Sequence, residues 1–451
     1  MADHVSGNRF ARMARLATAA ARTTRDVLTA KAREKLGGNE AKIAESLQPT
    51  AAHLVEVLGE LKGVATKLGQ FAALVDQDTL PEEVRKGLTR LLNQAPQRMN
   101  APTVRAVIAA ELGQPVATLF RQFDDEPLAA ASMGQVHGAV TADGQDVVVK
   151  IQYPGVGAAI ESDLKNVGLL ARALSMGGEM LDGRGYTEEI AATLRRELDY
   201  CQEVVQLQAF AQAVAPWPDL VVPNAVVGLS STRVLTLERL HGPSLLQVAQ
   251  DPDVSQERRN ELGHQLMRAA WGPFLSRRLI HADPHPGNYV VMADGRLGIL
   301  DFGATRVFSL PFVRAYWRVI GARRRSEPLD ILELLESAGF ELRGDDRPRA
   351  RIWLDELSEI VERPIQRDHY DWAQCRISSD VRDLARKHAL TALKVRAPDE
   401  SVMFYRAIAG ISGDLRMLRA AGDYRTSLMA VADVARNYLI DDLQIPEILS
   451  K

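Results

Sequence analysis

Apolar residues recur at steps of three and four through Leu54, Leu58, Leu61, Ala65, Leu68, Ala72 and Val75. This is the spacing of one buried face of an α-helix over 54–75. The other side of that helix is unusual. At about 100° per residue, Gly59, Gly63, Lys67 and Gln70 fall in one narrow sector opposite the stripe. A helix-interior Gly costs about 1 kcal/mol relative to Ala, so two on one face predict that another backbone comes close there. Pro81 opens a second helix over 81–94, and residues 101–113 read as a third, with Gly113 as its C-cap. From residue 120 the period shortens to two. The stretch FRQFDDEPLAAASMGQVHGAVTADGQDVVVKIQYPG predicts strand, small-residue loop, strand, Asp-Gly turn and strand. Val147, Val149 and Ile151 alternate with Val148 and Lys150, so Lys150 points away from the Val149 side.

Residues 158–210 read as mostly helical. Residues 233–245 (RVLTLERLHGPSL) are a strand running into a Gly-Pro break, where a hinge between two lobes is expected. Residues 255–280 form a helix, VVMADGRLGILDFG a hairpin around Ala293-Asp294-Gly295, and 311–451 are nearly all helical. The chain shows no repeat and no low-complexity segment.

Composition narrows the class. The 451 residues are 46% hydrophobic and 25% charged, with a net charge of −3. These are the proportions of a soluble globular chain of two or three domains, and the charge gives no reason to expect a nucleic-acid partner. Cys201 and Cys375 form neither a metal-ligand pattern nor a disulfide framework. No run approaches the roughly 18 apolar residues of a membrane span, and Arg22 and Arg25 break any secretory apolar core. The chain reads as cytoplasmic. Any membrane contact would be peripheral, through the basic segment 1–36, where Arg9, Arg12 and Arg15 can line one helix face above an anionic surface.

The chemistry lies in the order of a few motifs. HADPHPGN (281–288) places Asp283 and Asn288 at the spacing of the kinase loop H-R-D-x-x-x-x-N, and LDFG follows with Asp301. Upstream stands VVVK, ending in Lys150, and then a helical region with acids. Each residue has a physical task. Lys150 can neutralise the α- and β-phosphates of a nucleotide. A helix Glu must hold that lysine. Asn288 and Asp301 offer the oxygen ligands that Mg²⁺ takes. Asp283 can accept a hydroxyl proton or orient a water.

Three features depart from an ordinary protein kinase. AAASMGQV (129–136) stands where a Gly-rich loop would cover the phosphates, and alanines restrict positive φ. RRELDYCQE (195–203), with Glu197, Asp199 and Glu203, lies far from Lys150 in sequence for a partner glutamate. Nothing after DFG resembles an activation segment ending in A-P-E, so a platform for a peptide substrate is not expected.

With these departures the chain resembles the UbiB/AarF family of atypical kinase-like proteins, which are linked to ubiquinone biosynthesis. KLGQ (67–70) matches the family's KxGQ motif, AAASMGQVH (129–137) its Ala-rich loop and VVVKIQYPGV (147–156) its Lys strand. ELD (197–199) matches its ExD motif, and HADPHPGN and LDFG its catalytic and metal loops. APDESVMFYRAIAGISGDLRML (397–418) is similar to a helical segment near the family's C-terminus.

The resemblance implies an α+β, bilobal protein-kinase-like fold. An N-terminal helical extension (1–115) packs over the active site, followed by an N-lobe (116–240) and a mostly helical C-lobe (241–451). Lys67 and Gln70 then face the nucleotide, and Glu197 partners Lys150, with Asp199 in the same network. Ala130, Ala131, Ser132, Met133, Gly134 and Leu237 join the cofactor-binding set; Asp283 is catalytic, and Asn288 and Asp301 hold the metal. The implied cofactors are ATP with Mg²⁺ or Mn²⁺, and the implied activity is slow ATP hydrolysis. The implied partners are an anionic membrane surface or isoprenoid lipid and quinone-biosynthesis proteins. Two other classes share parts of the pattern: small-molecule kinases of the aminoglycoside or choline type, and non-catalytic nucleotide-dependent scaffolds.

Overall fold

The computed structural model describes residues 98–131, 133–161, 195–344, 346–392 and 394–439. The helices expected over 54–75 and 81–94, the basic segment 1–36, Lys67, Gln70, Ser132 and the last residues of the tail lie outside them. The elements used below are, in chain order, α1 (Ala101–Leu112), β1 (Phe120–Phe123), β2 (Ala129–Ala131), β3 (Gly134–Thr141) and β4 (Asp146–Gln152). There follow α2 (Tyr200–Val214), β5 (Leu220–Val221), β6 (Val234–Glu238), α3 (Gln256–Arg277), β7 (Leu279–His281), β8 (Tyr289–Val291) and β9 (Leu297–Ile299). Last come β10 (Thr305–Val307), α4 (Leu310–Arg325) and α5 (Asp399–Leu418).

The described residues fall into two units. One takes the chain up to Gln202 together with Val226–Glu238; the other takes Glu203–Ala225 and everything from Arg239.

The first unit is an antiparallel sheet in the order β1-β3-β4-β6, with β2 paired to β3. Period-two alternation decides its faces. Val147, Val149 and Ile151 are fully buried and pack with Val104 and Ile108 of α1, while Lys150 stays half-buried on the opposite face. The expected third helix is α1. Asn100 caps it by accepting from the Thr103 N–H at 3.0 Å, and Gly113 closes it at φ 73°. The Asp-Gly turn forms as expected, with Gly144 at φ 91°. The expected small-residue loop is different: Ala129–Ala131 is a strand, paired in register Ala129↔Val136, Ala130↔Gln135 and Ala131↔Gly134. Gly134 is required there by proximity, since a Cβ on it would lie 2.0 Å from the Ile151 carbonyl oxygen.

A buried polar chain ties the start of α1 to this sheet. Gln135 accepts from the Met99 N–H at 2.9 Å, and its amide nitrogen lies 2.8 Å from His137 Nε2. His137 Nδ1 lies 2.8 Å from the Asp124 carbonyl. Only one tautomer satisfies both contacts: Nδ1–H donates to the carbonyl and Nε2 accepts from the amide. His137 is thus a neutral structural residue, and burial pushes its pKa down.

In the second unit α3 is the core helix, with Leu262, Leu266, Phe274 and Leu275 fully buried. The stretch expected as helix over 255–280 ends earlier: the helix stops at Arg277, and Leu279–His281 is β7, paired antiparallel with β10. The expected hairpin is β8–β9, with Gly295 at φ 90° in its turn, and β5 lies parallel to β9. Past β10 the unit is mostly helical. Phe404 of α5 sits among Phe274, Phe312 and Tyr316, with ring centroids 4.9, 5.3 and 4.6 Å away. The N-terminus of α5 is tied to that of α4, where Glu400 accepts from the Ser309 N–H at 2.7 Å. The Arg run at the end of α4 is taken up by carboxylates: Arg323 pairs with Glu362, Arg324 with Asp433 and Arg325 with Glu327.

Candidate functional site

Lys150, Glu197 and Asp199 belong to the first unit. Directly opposed residues of an antiparallel pair present their side chains to the same face. Lys150 is opposed by Val136 and Leu235, and Val148 by Gly138 and Leu237. The Lys150 face therefore carries Val136, Val148, Leu235 and Leu237, an apolar floor with one cation. By the same register Ala129 and Ala131 fall on this face, and Ala130 on the face of Gln135 and His137. Met133 is buried, and its carbonyl accepts from the Tyr153 N–H at 2.9 Å. Lys150 Nζ stands 5.0 Å from the centroid of the Tyr200 ring, a cation–π contact.

Glu197 is half-buried and ends the short helical segment 195–197, just before the turn into α2. Two bonds hold that turn. Gln152 donates its amide to the Leu198 carbonyl at 2.9 Å, and the Tyr200 N–H donates to the Thr232 carbonyl at 3.0 Å. Gln152 lies two residues beyond Lys150, on the same strand face, so its side chain links that face to the residue next to Glu197. Asp199 accepts from the Cys201 N–H at 3.0 Å, the bond of a helix cap at the start of α2. Glu203 lies in the second unit and is buried.

Asp283, Asn288 and Asp301 belong to the second unit. His281 Nε2 lies 3.0 Å from the Leu300 carbonyl and 2.6 Å from that of Asp301. Both partners are acceptors, so Nε2 carries the proton. His281 is buried between Phe210 and Phe302. Its place in the loop is thus structural: it holds the backbone of the DFG segment. The Leu300 N–H donates to the Asn288 carbonyl at 2.8 Å, and the Asn288 amide donates to the Asp283 carbonyl at 3.0 Å. These bonds join the end of the loop to the residue before Asp301. Asp301 itself sits at φ 58°, left-handed for a non-glycine residue. Such strain persists only where surrounding bonds over-determine it, and it clusters at functional sites. His285 is exposed and bonds within its loop, accepting from the Gly287 N–H at 3.0 Å.

The Asp283 carboxylate accepts from Arg406 Nη2 at 2.5 Å, and the Arg406 side chain is only 5% exposed. One turn further along α5, Gly410 faces Pro284, and a Cβ on it would lie 2.4 Å from the Pro284 Cγ. Two turns beyond Arg406 is Asp414, 4% exposed, with one carboxyl oxygen that has no hydrogen-bond partner. Burial pushes its pKa well above the usual carboxylate range.

Sequence reasoning missed Gln152, Arg406 and Asp414. Period two could have flagged Gln152 as a neighbour of Lys150. For Arg406 the signal was a single cation inside the apolar run VMFYRAIAGI, which predicts a buried partner without naming it. Among the described residues no cluster of three or more His, Cys, Asp or Glu could hold a metal, and no helix is long and apolar enough to cross a membrane.

Comparison with known proteins adds identity to this geometry. Residues 90–333, more than half of the chain, match the ABC1 atypical kinase-like domain. The chain is 32% identical over 302 residues to the atypical kinase coq-8, mitochondrial, of Caenorhabditis elegans, covering 65% of this chain and 39% of that protein. It is 34% identical over 301 residues to the atypical kinase COQ8, mitochondrial, of Saccharomyces cerevisiae, covering 62% of this chain and 58% of that one. It thus spans less than two thirds of the length of these curated relatives. Among solved structures, the Rv3197–erythromycin complex of Mycobacterium tuberculosis superposes with a TM-score of 0.60 at 29% identity, covering 87% of this chain and 97% of that one. With an α+β kinase-like fold and this match, the chain belongs to the ABC1 atypical kinase-like family, the UbiB/AarF family.

Proposed function

We propose that the protein is an atypical kinase-like ATPase that binds Mg·ATP and supports ubiquinone or related isoprenoid-lipid biosynthesis at a membrane surface. The observation that carries this reading is the bonding of the second unit's loop. His281 and the Asn288 carbonyl hold the two residues that lead into and form the head of DFG, so Asn288 and Asp301 are anchored through one backbone network. An amide oxygen and a carboxylate suit Mg²⁺ or Mn²⁺, which takes one or two protein oxygens and completes its shell with water and phosphate. Bound there, the metal would neutralise phosphate charge. Lys150, with Glu197 as its partner, would also neutralise phosphate charge. Val136, Val148, Leu235 and Leu237 would give the base an apolar floor, and the Ala-rich hairpin would cover the phosphates. Asp283 would orient the water or acceptor hydroxyl. By the family resemblance, Lys67 and Gln70 of the KxGQ motif would also take part in binding the nucleotide.

The link to ubiquinone rests on the family and on the COQ8-type relatives. The test is Mg²⁺-dependent ATP hydrolysis by the purified protein, with and without anionic liposomes. Asp301→Asn should lower turnover by about 100-fold, with thermal stability retained. Undiminished hydrolysis in that variant refutes the metal assignment. Specific phosphorylation of a soluble alcohol would favour a small-molecule kinase instead.

A further inference from the structure

The residue between His281 and Asp283 is Ala282, fully buried, so the loop carries no arginine of its own. A guanidinium is nevertheless present, brought by Arg406 from a helix 123 positions away. Its side chain is 5% exposed and that of Asp283 17%, with Nη2 and Oδ1 2.5 Å apart. Such a pair is poorly explained by stability, because desolvation offsets much of the attraction and apolar residues of equal volume commonly do as well. What it supplies is direction, since a buried charged N–H donor fixes where the Asp283 Oδ1 it bonds must lie.

The rest of α5 is built around the same contact. Phe404 is locked in the aromatic cluster, Glu400 holds Ser309, and Gly410 clears room for Pro284. One helix face thus meets two successive loop residues, Asp283 and Pro284. The backbone of Asp283 is held from the other side, because its carbonyl accepts from the His285 N–H at 2.7 Å and from the Asn288 amide at 3.0 Å.

We propose that Arg406 is the positioning residue of the candidate catalytic loop: supplied by the C-terminal helix α5, it sets the direction of the Asp283 carboxylate for the water or hydroxyl that reacts. The proposal deepens the ATPase reading and rests on it for its kinetic part. Arg406 acts through Asp283 and touches neither nucleotide nor metal in this role.

The experiment compares Arg406→Lys, Arg406→Met, Asp283→Asn and the Lys/Asn double variant. Expected is a fall in kcat for Mg·ATP of about tenfold in Arg406→Met, KM for ATP within about twofold, and partial recovery in Arg406→Lys. In the Asp283→Asn background, Arg406→Lys should change kcat no further, because the group it acts through is already gone. Losses that multiply, or wild-type kcat in Arg406→Met, overturn the proposal. If Arg406→Met fails to fold, Arg406→Lys and the double variant still decide it. Hydrogen exchange over residues 283–290, measured without nucleotide, separates this proposal from the reading beneath it. Faster exchange in both Arg406 variants supports the clamp even if the wild-type protein proves to have no ATP turnover, and unchanged exchange in both overturns it.

Discussion

The two units hold their polar residues by different physics. In the first, the residues around Lys150 are placed by strand register, and the buried polar groups are neutral: Gln135 and His137 share one chain of hydrogen bonds that ends on backbone groups. Its side-chain tether to the residue beside Glu197, Gln152 to Leu198, ends on a backbone carbonyl 46 positions away. In the second, the candidate aspartate is held by a buried cation 123 positions away, and a buried carboxyl, Asp414, lies two turns along the same helix. A sheet fixes its side chains through local alternation and backbone pairing, and so tolerates no change of backbone spacing. A loop lacks a ladder, and a distant helix must supply its direction through charge and close packing.

The contrast can be broken most severely at one close-packed glycine in each unit. Gly134→Ala should destabilise the protein by about 3 kcal/mol, because the added Cβ meets backbone that can move only by parting β3 from β4. Gly410→Ala meets the edge of a proline ring and should cost less, about 1–2 kcal/mol. Urea denaturation of both variants tests the order, and an equal or reversed pair of losses removes the distinction.

A smaller effect is expected at Gln152. Gln152→Leu leaves the Leu198 carbonyl without its amide donor, costing about 1 kcal/mol of stability and loosening the turn next to Glu197. ATPase assays should show turnover down several-fold. Turnover equal to wild type would make the tether purely structural.

The pH responses of the units should oppose each other. The Asp414 pKa is raised above its ordinary 3.8, so the native state binds that proton more tightly than the unfolded chain does. Its contribution to stability is fully present below that ordinary value and is lost as pH rises through the raised one. Asp414→Asn should therefore raise the melting temperature by about 2–4 °C at pH 8, and the gain should vanish as the pH approaches 4. A gain independent of pH would show that the carboxyl is not the cause.

The smallest effect is at His137, whose pKa lies below its ordinary 6.5 because of burial. Here the unfolded chain binds the proton more tightly, so stability is present above that ordinary value and is lost as pH falls below it. A loss of roughly 1 kcal/mol or less is expected between pH 7 and 5. Denaturation curves of wild type and His137→Asn over that range should diverge, and parallel curves would remove His137 as the source.

Much of this was legible beforehand because it depends on local order. Alternation alone separates Lys150 from Val149, and the Gly-terminated α1 and the Asp-Gly and Ala-Asp-Gly turns follow from residues within a few positions of each other. The spacing of Asp283, Asn288 and Asp301 named the loop. Chemistry and spacing could not say that Ala129–Ala131 is a strand, since alanine favours helix over strand and only pairing with β3 makes them one. Nor could they say that Asp199 caps α2, or that His281 serves the DFG backbone.

What the sequence by itself determined about this protein is α1, the β3–β4 and β8–β9 hairpins, the strand face of Lys150 and the family motifs in order, because each is written in neighbours along the chain. The tertiary structure alone decided which partner each buried polar group would take. A charge inside an apolar helical run announces that a partner exists, but only the packing of Phe404 and Gly410 brings Arg406 to Asp283 rather than to any other acid. The free energy of a buried pair depends on distance and desolvation at one point in space, and those are properties of the folded chain.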